Sequence, residues 1–181
     1  MTKLSYRCAL LASAALFALL LSSCTTPQTK RKDFAMGELA PVGSPITTYS
    51  VIETVWKTQL GEGFQVRTPE KRFLLIKVSV NNATGKDISV PLLTIEGPDG
   101  KTHRELSNGE GVDNWFGVLR NLSNGQTQQG TIVFDVPLSS YKLRVPNLSG
   151  SGYEDYGLIQ IPLQINPDLP LESPIDPDGI K

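Results

Sequence analysis

His103 is the only histidine of the 181 residues, and Cys8 and Cys24 are the only thiols. A hydrolytic nucleophile needs a base beside it, and a zinc site draws on several His or Cys ligands, so this inventory argues against both chemistries. His103, followed by Arg104 and Glu105, reads as a solvated strand end after the Asp99-Gly100 turn. Glu96 with Asp99, and Glu110 with Asp113, could in principle pair as acid and base in the manner of glycosidases. Both pairs lie in turn-like segments, where Asp and Glu are common for backbone reasons. The loop 107–114, Ser-Asn-Gly-Glu-Gly-Val-Asp-Asn, offers the oxygens and glycines a calcium loop uses, without the EF-hand spacing, and is expected to be a bare polar loop. No phosphate-cradling glycine motif opens a helix. The expectation is therefore a protein that is not an enzyme and holds no cofactor and no metal. Four aromatic residues remain as a candidate face: Trp115 and Phe116 just after the polar loop, and Tyr153 and Tyr156 around Glu154-Asp155. Rings on loops stack on sugars or anchor protein partners because they bring large area at low entropic cost. Capping of the core is the competing expectation for them.

The second thiol carries a more specific chemistry. Lys3 and Arg7 precede an uncharged run of Ala, Leu, Ser and Phe over residues 9–21, shorter than the roughly 20 apolar residues that span a bilayer and of signal-peptide form. The run closes in Leu21-Ser22-Ser23-Cys24, which resembles the bacterial lipobox. That resemblance implies removal of residues 1–23, a diacylglycerol on the Cys24 sulfur, and an acylated amine, palmitate being a typical chain. Each buried CH₂ contributes about 0.8 kcal/mol, so several chains anchor the protein to the membrane. Cys8 leaves with the signal peptide, so no intramolecular disulfide is available and stability must come from a packed core. Thr25-Thr26 lacks the Asp that retains some Gram-negative lipoproteins in the inner membrane, which points to the outer membrane, facing the periplasm, in a host that has one. The formal charge of −1 becomes more negative once Lys3 and Arg7 are removed, so nucleic acid is not an expected partner. Lys30-Arg31-Lys32 reads as a solvated tether that could touch anionic lipid at about 1 kcal/mol per charge. Three Asn-x-Ser/Thr triplets, at 82–84, 121–123 and 147–149, are treated as coincidental in a bacterial chain.

These residues must be placed by some scaffold. With 16 Gly and 13 Pro, and 39% hydrophobic and 19% charged residues, the composition suits a turn-rich globular domain with loose ends. Residues 24–44 are rich in Thr, Gln, Lys, Pro and Gly with isolated apolar positions, and are expected to be a lipid-anchored flexible tether. Residues 166–181 carry four prolines among acids, and are expected to be a disordered tail. Between them, over 45–165, short β-rich runs alternate with Gly, Asn, Asp and Pro clusters. Strands are expected near 46–57, 73–82, 88–96, 101–106, 131–136, 141–145 and 158–165, with hairpin-like turns at 83–87 and 97–100. Leu74, Ile76, Val78 and Val80 should face inward, as should Ile132, Phe134 and Val136, and Ile159, Ile161, Leu163 and Ile165. Pro162 places the last strand at an edge, or at a bulge or an unpaired position. The pattern is all-β, an immunoglobulin-like antiparallel β-sandwich of about six to eight strands, with a small barrel as the alternative.

Phe73-Leu74-Leu75-Ile76-Lys77-Val78-Ser79-Val80-Asn81-Asn82, then Leu122-Ser123-Asn124-Gly125-Gln126 leading into Gly130-Thr131-Ile132-Val133-Phe134-Asp135-Val136-Pro137, resembles the immunoglobulin-like domain of unknown function 4352. The resemblance covers residues 48–165; Asn124 stands where many members have Pro, and 108–117 departs from their pattern. It implies a secreted or lipid-anchored bacterial protein and carries over no catalytic or binding residue. Together these readings predict a cell-envelope lipoprotein whose sandwich binds an envelope protein or aids assembly. The alternative is binding of carbohydrate or cell-wall polymer by the four aromatic residues.

Overall fold

The computed structural model describes residues 31–149 and 155–164. Five strands form one sheet, in the order β1 (Arg31–Phe34), β11 (Tyr156–Ile161), β10 (Tyr141–Pro146), β6 (Thr94–Glu96), β7 (Thr102–Arg104). Four more form the facing sheet, β2 (Ala40–Val42), β3 (Ile46–Lys57), β4 (Phe73–Ala83), β9 (Thr127–Asp135), and β5 (Ile88–Ser89) pairs with β8 (Asn121–Leu122) as a separate ribbon. This is a β-sandwich, as expected, with more and shorter strands than the sequence suggested.

The core follows the alternation of the long strands. On β4, Leu74, Ile76, Val78 and Val80 are buried between the sheets, beside Ile132 and Phe134 of neighbouring β9 and in one core with Leu143, Val145, Ile159 and Ile161 of the other sheet. Strand β3 keeps its apolar face inward only because of a bulge between Val51 and Glu53. Thr47, Tyr49 and Val51 point inward before it, and Thr54 and Trp56 after it, since one extra residue resets the two-residue period.

A second apolar cluster lies on the outer side of the β2–β3–β4–β9 sheet, where Leu60, Phe73, Leu75 and Val133 are buried with Val55, Leu106 and Val112 packed on them. Two segments cover it. One folds back through a paired bridge between Leu60 and Arg67, and the Arg67 guanidinium stacks 4.9 Å from the Phe73 ring. The other is the loop from Glu105 to Arg120, which bonds to β9 through Leu106 N–H to Val133 O (2.8 Å) and Phe116 N–H to Thr131 O (2.9 Å). Its base is closed by a buried ion pair in which the Arg120 guanidinium holds both Glu105 carboxylate oxygens. Glu105 also accepts from Leu93 N–H at 3.0 Å, while Arg120 donates to the carbonyls of Gly117 and Pro91 and lies 4.7 Å from the Phe116 ring. Both charges are fully removed from water; their pairing closes the loop on itself, and the bonds to Leu93 and Pro91 tie it to the sandwich.

Several expectations change. The segment expected to be tether up to residue 44 contributes two strands, and its isolated apolar residues Phe34, Ala40 and Val42 enter the core. Strand β1 pairs with β11 in parallel, so the sandwich is not wholly antiparallel. The last strand is interior, between β1 and β10, so of the alternatives for Pro162 the edge fails and an unpaired position holds, just past Ile161; Leu163 is partly exposed and Ile165 lies outside the described residues. The run 88–96 splits into β5 and β6, so the turn at 83–87 is a crossover between different pairings and not a hairpin, whereas 97–100 does join the paired strands β6 and β7. Two of the Asn-x-Ser/Thr triplets are local turns. Asn82 Oδ1 accepts from Thr84 N–H and Oγ, and its amide donates to Lys86 O and Leu122 O; Asn147 Oδ1 accepts from Ser149 N–H and Oγ.

Candidate functional site

Four chain segments meet at one end of the sandwich: the β1–β2 turn, the β6–β7 hairpin, the start of β10 and the end of β11. They enclose an open groove of about 640 Å³, with Met36, Pro98, Tyr141, Ile161 and Pro162 supplying apolar surface and Glu96, Ser140, Lys142 and Gln160 polar surface. The hairpin wall is fixed by Gly100 N–H to Gly97 O (3.0 Å) and Gly97 N–H to Lys101 O (2.8 Å), with Gly100 at φ +76°, where a side chain would be strained. The Lys101 ammonium sits 3.0 Å from Asp99, and hydrogen bonds from that ammonium and then from Lys101 N–H hold the Asp99 carboxyl below the usual carboxylate range. Tyr141 donates its hydroxyl to Pro137 O at 2.8 Å and packs against Trp56 on one side and edge-on against His103 on the other, centroids 6.0 Å apart. Burial, and then the Asp99 charge, push its phenol above the ordinary value. The groove can hold an apolar side chain between polar flanks; its mixed charges at Glu96 and Lys142 suit a segment with both donors and acceptors.

The residues singled out from sequence are dispersed. Phe116 is buried beneath the Arg120 guanidinium and offers no surface. Trp115, half-buried, lies against Gly109 on the outer side of the sheet that contains β9, bridged to Thr131. Tyr156 is on the other sheet, with the Arg144 guanidinium 3.8 Å from its ring. Tyr153 and Cys24 lie outside the described residues. The described members of this set therefore form no common platform. His103 is half-buried against Tyr141 instead of solvated. In the loop 107–114, Asn108 spends its oxygens on Arg67 and Glu110 N–H, and among the described residues no three His, Cys, Asp or Glu side chains come together as a metal site would need. Glu105 and Arg120 were missed, although Glu105 shares the inward phase of His103, which pairs with Ile95.

A family model described as domain of unknown function (DUF4352) matches residues 34–155. Among solved structures, the YjhA protein from Bacillus subtilis is similar at 16% identity with TM-score 0.54, covering 71% of this chain and 98% of that one. A secreted protein from Mycobacterium tuberculosis, MPT63, is similar at 18% identity with TM-score 0.51, covering 71% and 95%. These likenesses establish the fold. No curated protein matches the chain.

Proposed function

The chain belongs to the DUF4352 family, and on that premise we propose that it is a lipid-anchored cell-envelope protein that presents its sandwich to a protein partner. The observation that carries this reading is the groove at the Met36–Pro98–Tyr141 end: its apolar floor and polar rim suit an extended segment of another envelope protein with one apolar anchor residue. Lipidation at Cys24 rests on the lipobox order of residues 21–24 after a short apolar run. Among the described residues no helix is long and apolar enough to cross a membrane, so the described domain itself supplies no helical anchor. The role assigned is binding, and no residue of the groove is given a catalytic step.

The test is photo-crosslinking in intact cells from a probe at Ser140, in the groove, and from a control probe at Lys86, which lies outside it. Recurrent capture of one envelope protein from position 140 and not 86 supports the reading. Equal or absent capture at both positions overturns it, and glycan retained in place of protein moves the function to polymer binding. Cys24→Ala should abolish palmitate labelling and release the chain from membranes; unchanged retention with label intact removes the anchor from the proposal.

A further inference from the structure

With β1 in the sandwich, the link between Cys24 and the fold shrinks to residues 25–30, whose full extension to Arg31 reaches no more than about 25 Å. The twelve residues of β3 alone run about 40 Å, so the link is shorter than the domain is long. The direction of β1 is fixed by its parallel register: Arg31 lies beside Tyr156, and Phe34 beside Ile159. Strand β1 therefore enters at the end of the molecule that carries the β2–β3 turn and Asn147, and leaves toward the groove through Ala35 and Met36. Turning the domain over would draw the link back along Arg31–Met36, using about 17 Å of its reach and leaving about 8 Å.

The entry end also carries cations. Lys32 lies 4.8 Å from the Phe34 ring and Arg144 3.8 Å from Tyr156, and neither pairs with a carboxylate among the described residues. Arg31, by contrast, is engaged by Asp33 at 3.8 Å and Glu96 at 3.7 Å, and Lys142 by Asp33 at 3.5 Å. We propose that the sandwich stands on the membrane by its β1 entry end, with Lys32 and Arg144 on anionic phospholipid headgroups and the groove turned away from the bilayer. This rests on the lipid-anchored reading above.

The full lipidated chain tests it in phosphatidylcholine vesicles, with and without phosphatidylglycerol, containing a headgroup-attached quencher. With Cys8 removed and Cys24 acylated, a single fluorophore can be placed at Lys86→Cys, near the entry end, or at Ser140→Cys, in the groove. Several-fold stronger quenching at position 86 than at 140, increased by phosphatidylglycerol and reduced to the neutral-lipid level by Lys32→Glu with Arg144→Glu, is the expected result. Lys32→Glu alone, at an exposed position, should give part of that reduction if the double variant folds poorly. Equal quenching at the two positions, the reverse order, or no response to phosphatidylglycerol overturns the proposal while leaving the anchor intact. A chain that does not float with vesicles at all overturns the anchor itself.

Discussion

The two sheets treat their outer faces in opposite ways. Outside β4 and β9, Phe73, Leu75 and Val133 would be exposed apolar residues on a bare sheet; they are buried because the loop 105–120 and the Leu60–Arg67 segment lie over them. Outside the other sheet no such cover is found among the described residues, and the face is crossed by long charged side chains, Arg31 reaching from β1 over β11 and β10 to Glu96 of β6. Under this ion-paired layer Leu158 is still fully buried. An apolar outer face thus recruits backbone to cover it, whereas a mixed one is screened by side chains and left open to contact.

The sharpest way to break this contrast is Arg120→Met, which leaves the Glu105 carboxylate buried and unpaired and frees both ends of the covering loop. A loss of about 3–5 kcal/mol in urea unfolding is expected; a loss under about 1 kcal/mol would mean the cover does not depend on its clamp. Leu75→Ala, beneath that cover, should cost about 2–5 kcal/mol by the same measurement, as a core position would. A surface-like cost would show the cover to be loose. Tyr49, buried between the sheets with its hydroxyl donated to Pro146 O at 3.0 Å, has its phenol pushed up by burial and belongs to neither outer face. Because its folded-state value is raised, its contribution is intact below the ordinary tyrosine value of 10.0 and is lost as pH rises above it. Stability should fall there by about 1.4 kcal/mol per pH unit, and Tyr49→Phe should flatten that slope. The smallest effect belongs to the open face: Asp33→Asn, which removes carboxylate partners of Arg31 and Lys142, should cost less than about 1 kcal/mol and nothing measurable in high salt.

The same contrast explains what could be read from the sequence. The strands expected at 46–57 and 73–82 match β3 and β4 to within a residue, because long alternating runs announce their own period. Even there, the alternation leaves Phe73 and Leu75 on an outer face that is apolar at one end and does not show what covers them, since the covering loop has no period of its own. Strands β1 and β2 were missed because they are four and three residues long and show only Phe34, Ala40 and Val42 as apolar hints. Their stability comes from β11 and β3, and the β1–β11 pairing is remote in sequence. Val90-Pro91 interrupts the apparent strand 88–96, where Pro91 supplies a carbonyl to Arg120 and cannot itself donate to a ladder. In the groove, Tyr141 and Ile161 follow from alternation. Met36 and Pro98 do not, because they arrive on two turns that only the tertiary fold brings together.

The parallel seating of β1 beside β11 also has a mechanical side. If the anchor holds residue 24 while a partner pulls at the groove, the tension enters β1 at Arg31 and runs along the strand. The β1–β11 bonds are then strained together, in shear, and must yield as a group, unlike those of a hairpin peeled open from one end. A strand of four residues is a short rivet, but set in this direction it resists the load that an anchored, partner-bound domain would meet.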